Sequence, residues 1–162
     1  MQVDILNRQE LNSILKQLNE DTKPRWGSLK AQNMIEHLAT VLQYTNGKKQ
    51  IAQRTTEEEG RKAKEAFIYS DVPMSMGLKS PLLPAEGPVP FEFDNLEEAK
   101  KELIKQLDDF EAFHAKHPDA LFVQPRLGKL NYKEWIVFHN KHFTHHFKQF
   151  GLVDWGSPIG VE

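Results

Sequence analysis

Apolar side chains recur at spacings of three and four residues along most of this chain, and this periodicity constrains the fold more than any other feature. The clearest apolar arc lies in residues 28–44 and consists of Ala31, Met34, Ile35, Leu38, Val41 and Leu42. Such spacing places side chains on one face of an α-helix. No stretch of more than a few residues alternates as a strand would. The sequence therefore predicts an all-α fold built around one core.

Short polar residues mark the points at which five helices are expected to begin. The predicted N-caps are Asn7, Ser28, Thr56, Asp94 and Asn131. All except Ser28 have a glutamate three residues later, which is the pattern of a capping box. The predicted helices end, in order, at about Glu20, Tyr44, Tyr69, His117 and the C-terminal cap Gly151.

A proline-rich connection interrupts this pattern between residues 70 and 93. Its prolines exclude a continuous helix, and they are Pro73, Pro81, Pro84, Pro88 and Pro90. A connection of about two dozen residues is long for a helical bundle, in which links usually have 2–8 residues. The segment is either a crossover strapped across the bundle or a lid over a site, and the sequence leaves both possibilities open.

Composition limits the class of protein. The 162 residues fit a single domain spanning 1–162. A net charge of −2 gives no electrostatic reason to expect a nucleic-acid partner. The absence of cysteine excludes thiolate nucleophiles and thiolate metal ligands. No apolar run is long enough for a membrane span and the first residues do not resemble a signal peptide, so we expect a soluble cytoplasmic protein without a membrane partner.

Four of the seven histidines fall within residues 135–150. On a helical wheel, His139, His142 and His146 share an arc of about 60°. Lys141, Thr144 and Lys148 lie on the opposite side, so the histidine stripe is expected to face the bundle interior. His142 and His146 are one helical turn apart and can therefore bind one ion together. His37, on the rim of the apolar arc of the second helix, is the candidate third ligand.

Three neutral imidazoles suit zinc, nickel, copper or iron and leave a coordination position open for water or substrate. Two other interpretations of the stripe stay open, a hydrogen-bonded polar core and an exposed helix face. For His139 the candidate roles are an auxiliary ligand, a hydrogen-bond partner of a ligand and a pocket wall. His145 turns away from the stripe, so we expect it to make a structural hydrogen bond.

Several motifs carry a resemblance to a known family. They are Trp26-Gly27, Met34-x-x-His37, Trp135-x-x-x-His139 and the run from Lys141 to Gly151 that contains His142-x-x-His145-His146-x-x-Gln149. Together they resemble the DinB/YfiT-like superfamily. The resemblance implies a DinB-like four-helix bundle with a long Pro-rich crossover connection and a metal triad of His37, His142 and His146. Phe147-Lys148 stand where the commoner motif has Arg-Gly, so no shared substrate contact is implied there.

The resemblance and the residues together lead to an expected function. Members of the superfamily include metal-dependent hydrolases and transferases or isomerases that use a small thiol. We expect a zinc- or nickel-dependent enzyme with a small-molecule substrate, in which His139, or less readily Glu36, moves protons. A hydrolase is preferred because no basic cluster indicates a pocket for an anionic cofactor. The alternative is a non-catalytic module that binds a ligand or metal, or a structural homodimer.

Overall fold

The computed structural model describes residues 2–75 and 89–154. These residues form helices and one short antiparallel hairpin, which are α1 (Arg8–Lys16), α2 (Ala31–Gln43), α3 (Glu57–Ile68), α4 (Leu96–Lys116), β1 (Phe122–Gln124), β2 (Gly128–Leu130) and α5 (Tyr132–Gln149). The mostly helical architecture is confirmed. The stricter expectation of an all-α chain is wrong at the hairpin, and the DinB-like bundle stays a prediction.

The hairpin occupies a segment that the sequence predicts to be a loop. Phe122 pairs with Leu130 and Gln124 with Gly128, and Gly128 adopts a φ of +82°, in the left-handed region that glycine tolerates. The turn between the strands also contacts the segment before α3, because the Arg54 N–H donates to the Pro125 carbonyl at 2.7 Å. Strands of three residues are too short for alternation to reveal them.

Three of the predicted N-caps are confirmed. Asn7 accepts a hydrogen bond from the backbone of the third helical residue, and Thr56 and Asn131 form complete capping boxes. Two N-caps are wrong. The second helix begins after Lys30 rather than after Ser28, and the fourth is capped by the side chain of Asn95, one residue after the predicted position.

The core is formed mainly by the inward faces of α2, α4 and α5. Helix α2 packs most extensively against α4 and also contacts α5. The largest fully buried side chains include the aromatic residues Phe110, Trp135, Phe143 and Phe147. None of the described helices is both long and apolar enough to cross a membrane.

Glu36 on α2 anchors one end of the long connection. Its carboxylate accepts hydrogen bonds from the backbone N–H groups of Glu92, at 3.0 Å, and Phe93, at 2.8 Å. The side chain of Gln32 donates to the same carboxylate and to the Phe93 carbonyl. Glu36 is 5% exposed, and a buried carboxylate is stable only when such donors replace water.

Lys141 on α5 anchors the other end. Its ammonium group donates to the carbonyls of Phe67, of Ser70 at 2.9 Å and of Val72 at 2.7 Å, so all three of its N–H donors have acceptors. The side of α5 opposite the histidine stripe is therefore covered by the chain. The middle of the predicted crossover or lid, 76–88, lies outside the described residues.

The anchor at Glu36 leads to a stability prediction. Replacing Glu36 with Gln should lower the free energy of unfolding of the metal-free protein by about 2 kcal/mol, because hydrogen bonds to a charged group are stronger than neutral ones and the amide nitrogen would face backbone donors. Urea unfolding followed by circular dichroism measures the change.

The matched control is Glu20→Gln, at an exposed glutamate. It should change the free energy of unfolding by less than about 0.5 kcal/mol. Equal stabilities of the two variants would contradict an anchoring role for Glu36.

Candidate metal centre

Helix α5 places two imidazoles one above the other. Asn131 and Glu134 fix the start of the helix with a capping box, and from there His142 and His146 follow on one face, one turn apart. Their ring centroids are 4.7 Å apart. The Nε2 atoms of the two rings approach to 3.1 Å.

Helix α2 supplies the third imidazole. His37 Nε2 lies 3.2 Å from His142 Nε2, and the candidate ligand atoms of His37, His142 and His146 all lie within 4.8 Å of one another. Bonds of 2.0–2.1 Å at tetrahedral angles would place ligand nitrogens about 3.3–3.4 Å apart. The three predicted ligands therefore come together at separations that fit one small cation.

The proton count of the three rings favours a shared cation. A neutral imidazole carries one N–H and one lone pair, and His142 Nε2 faces the Nε2 atoms of both His37 and His146. A proton on His142 Nε2 could be donated to only one of these two neighbours at a time. A bound cation would instead accept the lone pairs of all three Nε2 atoms at once. His142 Nδ1 is buried and has no hydrogen-bond partner among the described residues, so the Nε2 side is where this ring makes its polar contacts.

Burial keeps these rings uncharged. His37 and His142 are 5% exposed and His146 is 7% exposed. Loss of hydration lowers the pKa of His37 to about 4, with a smaller effect from neighbouring His145. The same cause lowers the pKa of His146 to about 3, with a smaller effect from His37. Burial, followed by repulsion from His146 and His37, holds the pKa of His142 well below its usual value. The lone pairs are therefore available at neutral pH.

Two hydrogen bonds connect His146, through its Nδ1 atom, to Gln149 and then to Trp26. His146 Nδ1 lies 2.8 Å from Oε1 of Gln149, and Gln149 Nε2 donates to the Trp26 carbonyl at 3.0 Å. Gly27 has a φ of +77°, and a Cβ there would lie 3.0 Å from Gln149 Nε2. The surroundings of His146 thus include Trp26-Gly27 and Gln149. The sequence shows these residues only as parts of motifs.

His139 lies apart from the convergent group. Its ring is fully buried, stacks on Trp135 at 5.4 Å and places Nε2 3.1 Å from Thr45 Oγ1. Loss of hydration lowers its pKa to about 3. The packing gives His139 a place in the aromatic core, and its catalytic role stays a prediction.

His145 is half-buried and has a hydrogen bond to the Met74 backbone, as expected for a structural partner. It also lines a groove of about 1070 Å³ on the side of α5 opposite the histidine stripe, whose walls include Lys141, Thr144 and Lys148. Its ring centroid is 5.1 Å from that of His146. His145 thus lies between this groove and a candidate ligand, and His37, His142 and His146 are not part of the groove lining.

Comparisons with known proteins give one match. The model of a family described as protein of unknown function (DUF1569) matches residues 1–151, which include all three histidines of the triad. Neither the curated proteins nor the solved structures contain a match to the chain.

The convergence of the three rings predicts one bound ion per chain. Chelator-treated protein titrated with zinc should bind one equivalent, and His37→Ala and His142→Ala should each abolish that binding, because the two imidazoles that remain do not complete a site. Elemental analysis after gel filtration measures the stoichiometry. His117→Ala, at an exposed histidine, is the control and should bind zinc as the unmodified protein does.

The lowered pKa values predict an acid-sensitive fold in the metal-free protein. His37, His139 and His146, with folded pKa values of about 4, 3 and 3, return to about 6.5 on unfolding. The unfolded chain therefore binds more protons below pH 6.5. The stability that the neutral rings contribute should be fully present above about pH 6.5 and should fall as the pH decreases toward 4, by on the order of 1 kcal/mol per pH unit for each ring that the unfolded chain protonates first.

Because domains are stable by only about 5–15 kcal/mol, the metal-free protein should unfold before pH 4. Circular dichroism between pH 7 and pH 3.5 measures this transition. His117→Gln should leave its midpoint unchanged, since that ring is exposed in the folded chain. A free energy of unfolding that stays constant from pH 7 to pH 5 would contradict the burial of neutral imidazoles.

Proposed function

We propose that this chain, which belongs to the DUF1569 family of proteins of unknown function, is an enzyme that depends on a divalent transition-metal ion. His37, His142 and His146 would hold the ion, and zinc or nickel suits three neutral imidazoles best. The observation that carries the proposal is the approach of three Nε2 atoms from two helices, with separations of 3.1 and 3.2 Å along the two contacts to His142.

In this proposal the residues of the chain hold the ion and leave one of its coordination positions open. The triad presents lone pairs in a site from which water is largely excluded, and because its members are neutral, the ion keeps its full charge. When bound, such an ion supplies Lewis acidity, which polarises a substrate carbonyl or lowers the pKa of a water molecule. Three protein ligands leave a position open, which is the pattern of catalytic rather than structural zinc sites.

A hydrolase is the preferred reaction class. In a metal-dependent hydrolase the ion would polarise an acyl or amide carbonyl and activate a water molecule, and this ligand set suits both roles. The resemblance of the His142–Gln149 motif to the DinB/YfiT-like superfamily supports the proposal. A thiol-dependent transferase is the second reaction class, and since the chain has no cysteine the thiol would come from the ligand.

The groove on the opposite side of α5 is large enough for a small molecule, although none of the three histidines lines it. Its volume of about 1070 Å³ is at the upper end of the range for pockets that bind small ligands. It is lined by Trp26 and Met74, which offer apolar surface, and by His145 and Lys148, which offer polar groups.

Proton transfer is proposed for an imidazole near the triad. His139, the predicted candidate, has its Nε2 directed at Thr45, so a role there would require that contact to open. His145 is half-buried and lines the groove. Its position makes it the better placed of the two to exchange protons with a ligand.

One observation favours a second candidate function, a non-catalytic metal- or ligand-binding protein. The three rings are only 5–7% exposed, and a buried ion whose remaining position is closed would stabilise the bundle without reacting. A cytoplasmic location and a homodimer are compatible with both functions and stay predictions.

The enzyme proposal predicts metal-dependent turnover. Zinc- and nickel-loaded protein should hydrolyse at least one class within a panel of esters, amides and thioesters. Activity should fall at least about 100-fold in His142→Ala, because loss of the ion removes the electrophile. His117→Ala, loaded in the same way, is the matched control and should retain full activity.

An experiment with cobalt-substituted protein distinguishes the two candidate functions. An open position predicts that azide changes the visible spectrum, since an exogenous ligand would enter the coordination sphere. A spectrum that azide does not alter, together with no turnover in the panel, would overturn the enzyme proposal and leave the binding protein.

A further inference from the structure

We infer that Gln149 is a positioning residue that fixes which nitrogen of His146 carries the proton, and that the Trp26 carbonyl sets the orientation of Gln149. This inference deepens the proposed function, on which its relevance to catalysis rests. Its central claim concerns a ring in the metal-free protein and can be tested without any activity.

The argument begins at the Trp26 carbonyl, which can only accept a hydrogen bond. Gln149 Nε2 lies 3.0 Å from that oxygen. The opposite orientation of the amide would place two acceptor oxygens at this distance. The backbone carbonyl therefore decides which end of the amide faces which neighbour, a choice that the shape of the side chain alone does not make.

The orientation of the amide then determines the state of His146. With its nitrogen turned toward Trp26, Gln149 presents Oε1 to His146 Nδ1 at 2.8 Å. An amide oxygen accepts and does not donate, so Nδ1 carries the proton. In a neutral ring the lone pair is then on Nε2, the atom that lies 3.1 Å from His142 Nε2.

The backbone around Gln149 holds this chain of contacts in place. The Arg25 N–H donates to the Gln149 carbonyl at 2.7 Å, so residues 25–27 are attached to the end of α5 at two points. Gly27 leaves the space that the amide occupies, because a Cβ there would lie 3.0 Å from Gln149 Nε2. Gln149 itself is 5% exposed, so water does not compete effectively for its hydrogen bonds.

The partner is an amide rather than a carboxylate, and this has a chemical consequence. Hydrogen bonds behind metal-binding histidines commonly run to carboxylates or carbonyls and orient the ring. A carboxylate would also add negative charge to the centre. Gln149 fixes the ring without that charge, so the site favours a ligand that brings negative charge of its own.

The first test uses the unmodified metal-free protein at pH 7.5. Long-range proton–nitrogen NMR correlations distinguish the two neutral forms of each imidazole. His146 should carry its proton on Nδ1. A proton on Nε2 of His146 would overturn the inference, whatever the protein does with metal or substrate.

The second test compares Gln149→Leu with Gln149→Glu. Leucine removes the acceptor, so the His146 preference for Nδ1–H should be lost, and the affinity for zinc should fall about 10- to 100-fold. Glutamate keeps an acceptor for Nδ1 and should keep the Nδ1–H form, but its second oxygen would face the Trp26 carbonyl, so it should recover only part of the affinity that leucine loses. Metal competition with a chromophoric chelator measures the affinities.

Gln106→Leu is the matched control, because Gln106 is a buried glutamine, 2% exposed, whose amide contacts Asn46 and Glu102 rather than the triad. It should leave the His146 proton and the zinc affinity unchanged. Equal zinc affinities of Gln149→Leu and Gln106→Leu would overturn the positioning role. Failure of the turnover panel with the expected NMR result would refute only the proposed enzyme.

Discussion

The close approach of three imidazole nitrogens inside a helical bundle is the interaction on which the rest of this structure depends. His37 and His142 are 105 positions apart in sequence, yet their Nε2 atoms are 3.2 Å apart. Buried polar groups without good partners are costly. One cation that binds all three imidazole nitrogens would therefore stabilise the bundle more than separate hydrogen bonds to each of them.

The residues that precede two of the three candidate ligands hold the surrounding chain. Glu36, next to His37, binds the backbone of residues 92–93, and Lys141, next to His142, binds three carbonyls between residues 67 and 72. His37 and His142 therefore each lie beside a side chain that is held in a buried, charged contact. Such contacts restrict the movement of these helical turns and keep the imidazoles near one another.

Local sequence patterns were sufficient to predict the features of the fold and of the site that lie within one helix. The spacing of His142 and His146 and the capping residues Thr56 and Asn131 depend on neighbours three or four positions away, where helical geometry is fixed. His37 could be proposed because it lies on the rim of an apolar arc. The structure confirms that the three rings come together.

The parts that could not be predicted depend on contacts distant in sequence. Gln149 and Trp26 are 123 positions apart and meet through a backbone carbonyl, which leaves no trace in side-chain patterns. Lys141 appears on the wheel as a surface residue, and only the path of the connection shows why its ammonium is buried. The hairpin at residues 122–130 was missed because its strands have three residues each.

X-ray absorption spectroscopy of the zinc-loaded protein tests the central claim most directly. The account predicts a first shell at about 2.0–2.1 Å with the outer scattering pattern of three imidazoles, and no bound zinc in His37→Ala. A zinc shell made of oxygen ligands, or of a single imidazole, would contradict the convergence of His37, His142 and His146 on one ion.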